Sequence, residues 1–574
     1  MNLKTIFFIA SFIWITGFIQ AQTRQKDIMP FLRVESQRFV DTQNREVILN
    51  GINHVVKDPA QNYLYPDDEQ LFQAFREYGF NCIRYGIIWD GLEPEPGVIN
   101  EEYLQEIDKR VRWAEENGIW LILDMHQDLF SRKFSDGAPL WATLDQEKPH
   151  QTGAIWSDAY LMSPAVQQAF DSFWQNAPAE DGVGIQDHYI QVWKVLADRY
   201  KNSPAVAGFD VMNEPFMGSQ APLVFEDLLQ GYVQAASQSG VTLPDIAALQ
   251  ESFMNETSRL ELLETLQDKA FFRQILQAAS PKVKAFEENE LSAFYQRVRD
   301  AIRSTGSRQL LFLEHNYFCN MGIPSYFRVP KDSLNQPDQQ CVYAPHGYDL
   351  VTDTKALDKT NFNRTEVIFE QIFQNGKEKE LPVWIGEWGA FYMGNKYQKA
   401  AHHIIGMIEQ AKAGQTFWCW WPQIETQDFF PFLSRTYPMA IGGILDSYSN
   451  TAQGFSCQWR ENPSEDKASI WFIPDLKRAQ QGQLKIEPAS DYQFQSISPE
   501  SSSGYLIVEP TGKTVSDVCQ SNTDIKRFNQ AEKARLKAFV PFFKPDWSIP
   551  FLFRLFSLFQ MPGFLLQNIV SLNQ

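Results

Sequence analysis

The sequence predicts an α/β fold: a (β/α)8 TIM barrel followed by a small C-terminal β-sandwich. Three observations lead there. Between residues 45 and 421, eight short apolar, β-branched runs recur, most of them separated by helical stretches. Nearly every run finishes on a polar or aromatic residue. After residue 447 the helical period disappears, and short strands alternate with polar turns.

The runs are EVILNGIN (46–53), FNCIRYGIIW (80–89), IWLILDMH (119–126), VAGFDVMNE (206–214), QLLFLEHN (309–316), CVYAPHGY (341–348), VWIGEWG (383–389) and TFWCWW (416–421). Near-continuous apolar strands with helices between them imply a parallel sheet covered by those helices. DEQLFQAFREYG (68–79) and EEYLQEIDKRVRWAEENG (101–118) fit the intervals, and each stops at a glycine. The strand ends Asn53, His126, Glu214, His315, His346 and Glu387 would converge on one face of a barrel, where a site belongs.

Phe216 to Arg308 is too long for an ordinary connection and carries the helical pattern RLELLETLQDKAFFRQILQAA (259–279). A helical insertion at about 216–308 is expected, either a lid or lipid-accepting wall, or plain scaffold. The barrel domain is placed at 22–447 and the sandwich at 448–520, marked by ASIWFIP, GQLKIEP, DYQFQSI and GYLIVEP. The remainder, 521–574, is a hydrophobic, aromatic tail broken by Lys544, Asp546, Arg554 and several prolines. It cannot cross a bilayer as one apolar helix; it lies at a membrane or micelle surface or packs against the domains.

Residues 1–21 read as a signal peptide: Lys4, an apolar run from Thr5 to Ile19, and the small Ala21. The expected destination is secreted or an exported compartment, with an uncleaved anchor as the alternative. Export permits disulfides, and neighbour pairing joins Cys319 to Cys341 and Cys457 to Cys519. Cys82 and Cys419, inside apolar strands, are expected as buried thiols. A net charge of −19 disfavours nucleic acid and simple adhesion to anionic membranes, so a neutral substrate fits better. The 44 Phe, 20 Tyr and 16 Trp suit stacking on sugar faces, although most must fill the core. Neither CxxC nor HExxH spacing occurs, so no metal or cofactor is expected.

Glu214 in MNEPF and Glu387 in IGEWGAF end the fourth and seventh runs. Glycoside hydrolysis needs two carboxyls flanking one bond, one protonated to help departure and one ionised to attack or to activate water. Opposed strands across a barrel mouth supply that geometry. Asn213 would meet a sugar 2-hydroxyl, and Pro215 helps stop the strand by withholding a donor. The competing reading makes Glu214 a salt-bridged core acid.

RYGIIWDGLEPEPG (84–97), MHQD (125–128), NEP (213–215), APHGY (344–348), GEWG (386–389) and FWCWW (417–421), in this order, resemble glycoside hydrolase family 5. MHQDLF followed by APLWAT (138–143), NEPF before the long insertion, and the C-terminal sandwich resemble the endoglycoceramidases more narrowly. The resemblance spans roughly residues 30–520. It implies that Glu214 is the acid/base and Glu387 the nucleophile of a retaining double displacement, with carboxyls about 5 Å apart. Glu214 should be raised toward neutrality while Arg84 keeps Glu387 ionised. Tyr348 should hydrogen-bond the nucleophile, with His346 beside it unless that histidine is merely a satisfied core residue. His126 and Asp128 should bind hydroxyls of the sugar next to the broken bond, Lys57 being a weaker candidate. Trp418 should form a platform beneath the sugar, sharing a face with Trp420.

The implied activity releases oligosaccharide and ceramide from glycosphingolipids without a cofactor. One rival keeps the chemistry but takes polysaccharide, as an endoglucanase or mannanase, or a simple glucosylceramide or sterylglucoside. Another is a glycolipid-binding protein without catalysis.

Overall fold

The structure is a computed structural model that describes residues 29–66, 68–238, 246–392, 394, 396–452, 454–461, 467–511 and 534–539. The expected signal peptide, Cys519 and most of the aromatic tail lie outside the described residues.

Eight parallel strands form the barrel. They are β1 (Asn50–His54), β2 (Cys82–Ile88), β3 (Trp120–His126), β4 (Val206–Asp210), β5 (Leu310–Leu313), β6 (Cys341–Tyr343), β7 (Trp384–Ile385) and β8 (Gly414–Phe417). Hydrogen-bonded neighbours run from β7 through β8 and β1 to β6, and a parallel bridge between Tyr343 and Val383 joins the last pair. β6 and β7 resume above that bridge as His346–Gly347 and Glu387–Trp388, with His346 opposite Glu387. Every residue of β2 and β3 is buried, as strands sandwiched between a filled interior and outer helices require. Gly208 lets β4 approach β5, since a Cβ there would lie 2.2 Å from the Leu310 carbonyl oxygen.

The two expected helices form at Asp68–Glu77 and Glu101–Asn117. The second starts at Asn100, whose side chain accepts the Tyr103 N–H, and stops at Gly118, whose φ of 66° suits a residue without a Cβ. Between β4 and β5 the chain folds into helices at Ala221–Gln238, Ile246–Met254, Glu256–Thr265, Lys269–Phe286 and Ser292–Ser304. Among the described residues no helix is long and apolar enough to cross a membrane.

The C-terminal strands form two antiparallel sheets compatible with a β-sandwich. The seven-stranded sheet takes Leu32–Glu35, Arg38–Asp41 and Glu46–Val47 from the N-terminal side and continues through Tyr437–Ile441, Ser469–Ile473, Gly504–Val508 and Tyr492–Ser496. The run at 46–53 therefore divides: Glu46–Val47 joins this sheet, while Asn50–His54 opens the barrel. The expected boundary at 447–448 falls inside the strand Gly443–Thr451. That strand, Gly454–Glu461, Ala534–Phe539 and Gln483–Glu487 make the four-stranded sheet. Trp459 and Trp471 meet edge to face at 5.0 Å in a core shared with Leu445, Phe455 and Leu506. This module is fastened to the barrel where the Tyr437 hydroxyl donates to the Gly79 carbonyl at 2.8 Å.

The cysteines correct one expectation. Cys319 and Cys341 are both free and buried. Cys341 opens β6 in register with Leu311, whereas Cys319 lies in the turn beyond the C-terminal end of β5. Neighbours in sequence are thus separated along the barrel axis. Cys457 has no disulfide partner among the described residues, its expected partner Cys519 lying outside them, and Cys82 is a buried thiol as expected, while Cys419 is only half-buried.

Candidate active site

The C-terminal ends of the strands bring Glu214 and Glu387 together. Both are almost enclosed, 6% and 5% exposed, and an oxygen from each carboxyl lies within 4.8 Å of the other and of a His346 ring nitrogen. Glu387 Oε1 accepts from Arg84 Nη1 at 2.7 Å, and its Oε2 accepts from the Tyr348 hydroxyl at 2.7 Å. Glu214 Oε1 accepts from Asn320 Nδ2 at 2.6 Å and lies 3.0 Å from His346 Nδ1. Two carboxyls so disposed, one gripped by a cation and a phenol, can flank a single glycosidic bond.

The family comparison decides what this pair belongs to. The Cellulase model, described as glycosyl hydrolase family 5, matches residues 40–242 and 253–424. The chain belongs to glycosyl hydrolase family 5. It is a glycoside hydrolase and resembles the endoglycoceramidases within that family. It is 32% identical over 472 residues to endoglycoceramidase I of Rhodococcus hoagii (strain 103S), covering 77% of this chain and 81% of that one. An endoglycoceramidase of Hydra vulgaris is also 32% identical, but over 214 residues, and there the chain spans 40% of the relative. Among solved structures, endo-glycoceramidase II from Rhodococcus sp. shares the fold at a TM-score of 0.64 and 22% identity, over 87% of this chain and 98% of that one.

In this family 5 chain, Glu214 reaches the site by leaving the strand. β4 ends at Asp210, and the next residues pair alternately sideways: Val211 N–H to Phe312 O at 3.2 Å, Asn213 N–H to Met125 O at 3.2 Å. Regular pleating would send Asn213 and Glu214 to opposite faces. A φ of 46° at Glu214, in the left-handed region, lets both face the cleft. Asn213 is braced there, its Oδ1 accepting from Arg84 Nη2 at 2.8 Å and its Nδ2 donating to Gln127 O at 2.9 Å. One donor hydrogen and one acceptor position remain for a sugar hydroxyl.

Arg84 is fully buried and touches far more than Glu387. It contacts Asp210 at 2.7 Å, Glu314 at 2.8 Å and Asp124 at 2.9 Å. Four carboxylates share one guanidinium, so its support for any one of them is divided. Burial pushes Glu387 up to about 7, against the opposing pull of His346 and Arg84 and with added pressure from Glu214 and Glu314. Arg84, expected to keep Glu387 charged, does contact it and opposes the effect of burial. Burial likewise pushes Asp124 up to about 6, with Arg84 and His346 opposing it.

On the other side of the cleft, the resemblance-derived sugar binders also meet. His126 Nδ1 lies 2.7 Å from Asp124 Oδ2, and burial, then Lys57, hold the ring's pKa well below its usual value. A neutral ring that donates from Nδ1 leaves Nε2 as an acceptor, buried 3.9 Å from Asp128 Oδ2. Asp128 pairs with Lys57, whose ammonium stands 4.8 Å from the centre of the Trp418 indole, and that indole stacks on His126 at 5.2 Å and 13°. Trp418 and Trp420 do not share surroundings: Trp420 packs against His54 at 5.3 Å and Tyr65 at 5.0 Å.

His315 is a second correction to the strand-end pattern. It turns from the cleft to meet the Tyr343 hydroxyl at 2.7 Å and Asn320 Oδ1 at 2.9 Å, a satisfied core histidine pushed down to about 3 by burial, then by His346. Its neighbour Glu314 points inward instead. Glu314, Asp124, Asp210, Asp136 and Asn320 were missed from the sequence, although an acid inside an apolar run such as LILDMH or LFLEHN was the available signal. Asp136 lies 3.9 Å from Lys57 and is pushed up to about 8 by burial, Lys57 opposing and Asp128 adding to it.

Proposed function

We propose that this chain is an exported, retaining endo-β-glycosidase that cuts between the oligosaccharide and the ceramide of glycosphingolipids. The observation that carries the proposal is the approach of the Glu214 and Glu387 oxygens to within 4.8 Å, which suits direct attack and leaves little room for a water between them. Supporting the substrate class, the relative matched over most of both chains is an endoglycoceramidase, and a neighbour in fold was solved as a ganglioside GM3 complex.

In the proposed first step, Glu387 attacks the anomeric carbon, its C–O bond forming as the glycosidic bond breaks. Glu214 gives its proton to the departing ceramide oxygen. In the second step Glu214 takes a proton from water, which displaces Glu387 and restores both groups. Tyr348 and Arg84 hold Glu387 in line and stabilise the charge that returns to it on release. Asn213, His126, Asp128 and Lys57 orient the sugar hydroxyls, and Trp418 supports the ring. The N-terminal apolar segment and the tail supply export and surface association in this reading.

Incubation with a ganglioside and separately with soluble β-glucan, with products resolved by mass, tests the proposal. Intact oligosaccharide plus ceramide is expected. Cleavage of glucan alone would reassign the cleft to polysaccharide, and cleavage of neither would turn the test to glucosylceramide and sterylglucoside.

A further inference from the structure

We infer that Glu314 is a positioning residue of the hydrolytic site: it anchors Glu214 through the backbone and keeps the His346 imidazole doubly protonated between Glu214 and Glu387. The inference rests on the proposed roles of that pair.

Glu314 follows the last residue of β5 and is buried. Its two oxygens face different partners. Oε2 accepts the backbone N–H of Glu214 at 2.7 Å, at a residue whose φ of 46° is uncommon outside glycine. Such a conformation is strained and persists where surrounding contacts impose it. Oε1 accepts from Arg84 Nη2 at 2.8 Å and lies 3.2 Å from His346 Nε2.

The surroundings of His346 are acidic on both ring nitrogens. Nδ1 is 3.0 Å from Glu214 Oε1 and 3.6 Å from Glu387 Oε2, while Nε2 faces Glu314. A neutral imidazole would turn a lone pair toward one of these carboxylates; an imidazolium presents a proton to each. The 3.2 Å separation puts Glu314 Oε1 in direct charge contact with Nε2. The charged and titratable groups of the site come from several strands: Arg84 on β2, Asp124 on β3, Asp210 and Glu214 at β4, Glu314 at β5, Glu387 at β7 and Lys57 after β1, with the neutral rings of His126 and His315 beside them. Burial, the largest single influence, opposes the imidazolium, but the carboxylates together, Glu314 first and then Glu387 and Glu214, outweigh it and raise the ring well above its ordinary value.

The charge matters because His346, ahead of Arg84, is the strongest influence holding the Glu387 carboxyl down, whereas Glu314 itself is the weakest of those pushing it up. Removing the Glu314 charge relieves a small repulsion and one of the four claims on Arg84, but as it costs His346 its second proton it forfeits the larger attraction. Glu387 would then ionise at higher pH.

The test is E314Q assayed with dinitrophenyl β-lactoside, whose leaving group departs without a proton, so the acidic limb of kcat/KM reports Glu387 alone. That limb should move to higher pH by about one unit, with E314D moving less in the same direction. Histidine-selective nitrogen NMR should show His346 still doubly protonated in the parent at pH values where an ordinary imidazole has lost its proton. A limb that stays or moves to lower pH overturns the inference. If E314Q does not fold, a singly protonated His346 in the parent overturns it. Covalent labelling with a fluorinated lactoside keeps the two readings apart: label on a residue other than Glu387 defeats the assignment of roles, whereas label on Glu387 with an unmoved limb defeats only the part given to Glu314.

Discussion

The Tyr348 hydroxyl donates to Glu387 Oε2 at 2.7 Å while Arg84 holds Oε1 at the same distance, so neither oxygen of this carboxyl is free to rotate away. A hydrogen bond to a charged group contributes about 1.5–3 kcal/mol. Tyr348→Phe should therefore lower kcat about ten- to a hundredfold with little change in melting temperature. Unchanged kcat would remove Tyr348 from the mechanism.

Glu387→Gln should abolish hydrolysis and also reveal what the site costs the fold. Because burial raises the carboxyl from 4.5 to about 7, the folded state holds a proton that the unfolded chain has released. Parent stability from this group is full below about 4.5 and is lost as pH rises through about 7. The variant should gain on the parent across that window, by an amount on the order of 3 kcal/mol. Urea titrations of both proteins at the two ends measure it; a pH-independent difference would contradict the shift.

Glu214→Ala should lose about a thousandfold on glycolipid, where the alkoxide needs a proton, and far less on dinitrophenyl β-lactoside. Azide should restore turnover and yield a glycosyl azide of retained configuration. An inverted product would replace the double displacement with a single one.

Trp418→Ala should raise KM about tenfold, since the indole stacked on His126 and beside Lys57 is the flat apolar surface at the cleft. Steady-state kinetics on the same lactoside measure it, and an effect confined to melting temperature would make the ring a packing element.

Much of this site was legible because a barrel sends its strand ends to one face whatever the helices do. His126, Asn213, Glu214, His346 and Glu387 could be named from their places at the ends of apolar runs, and the resemblance to family 5 added Arg84, Tyr348 and Trp418. The errors fall where the period of two breaks down. His315 and Glu314 exchanged roles because the inward phase of β5 cannot be told from an apolar run buried on both faces. Trp418 and Trp420 parted for lack of a regular strand to hold them on one side.

By itself the sequence determined the parallel barrel, its order and the carboxyl pair, because apolar periodicity and strand termini are local properties of the chain. Tertiary structure alone decided that Glu214 turns at φ 46° onto a Glu314 anchor, that one arginine serves four acids, and that Cys319 and Cys341 stay apart. Those outcomes depend on distances between residues up to 303 positions apart, as Arg84 and Glu387 are, and electrostatic energy follows distance, not sequence order.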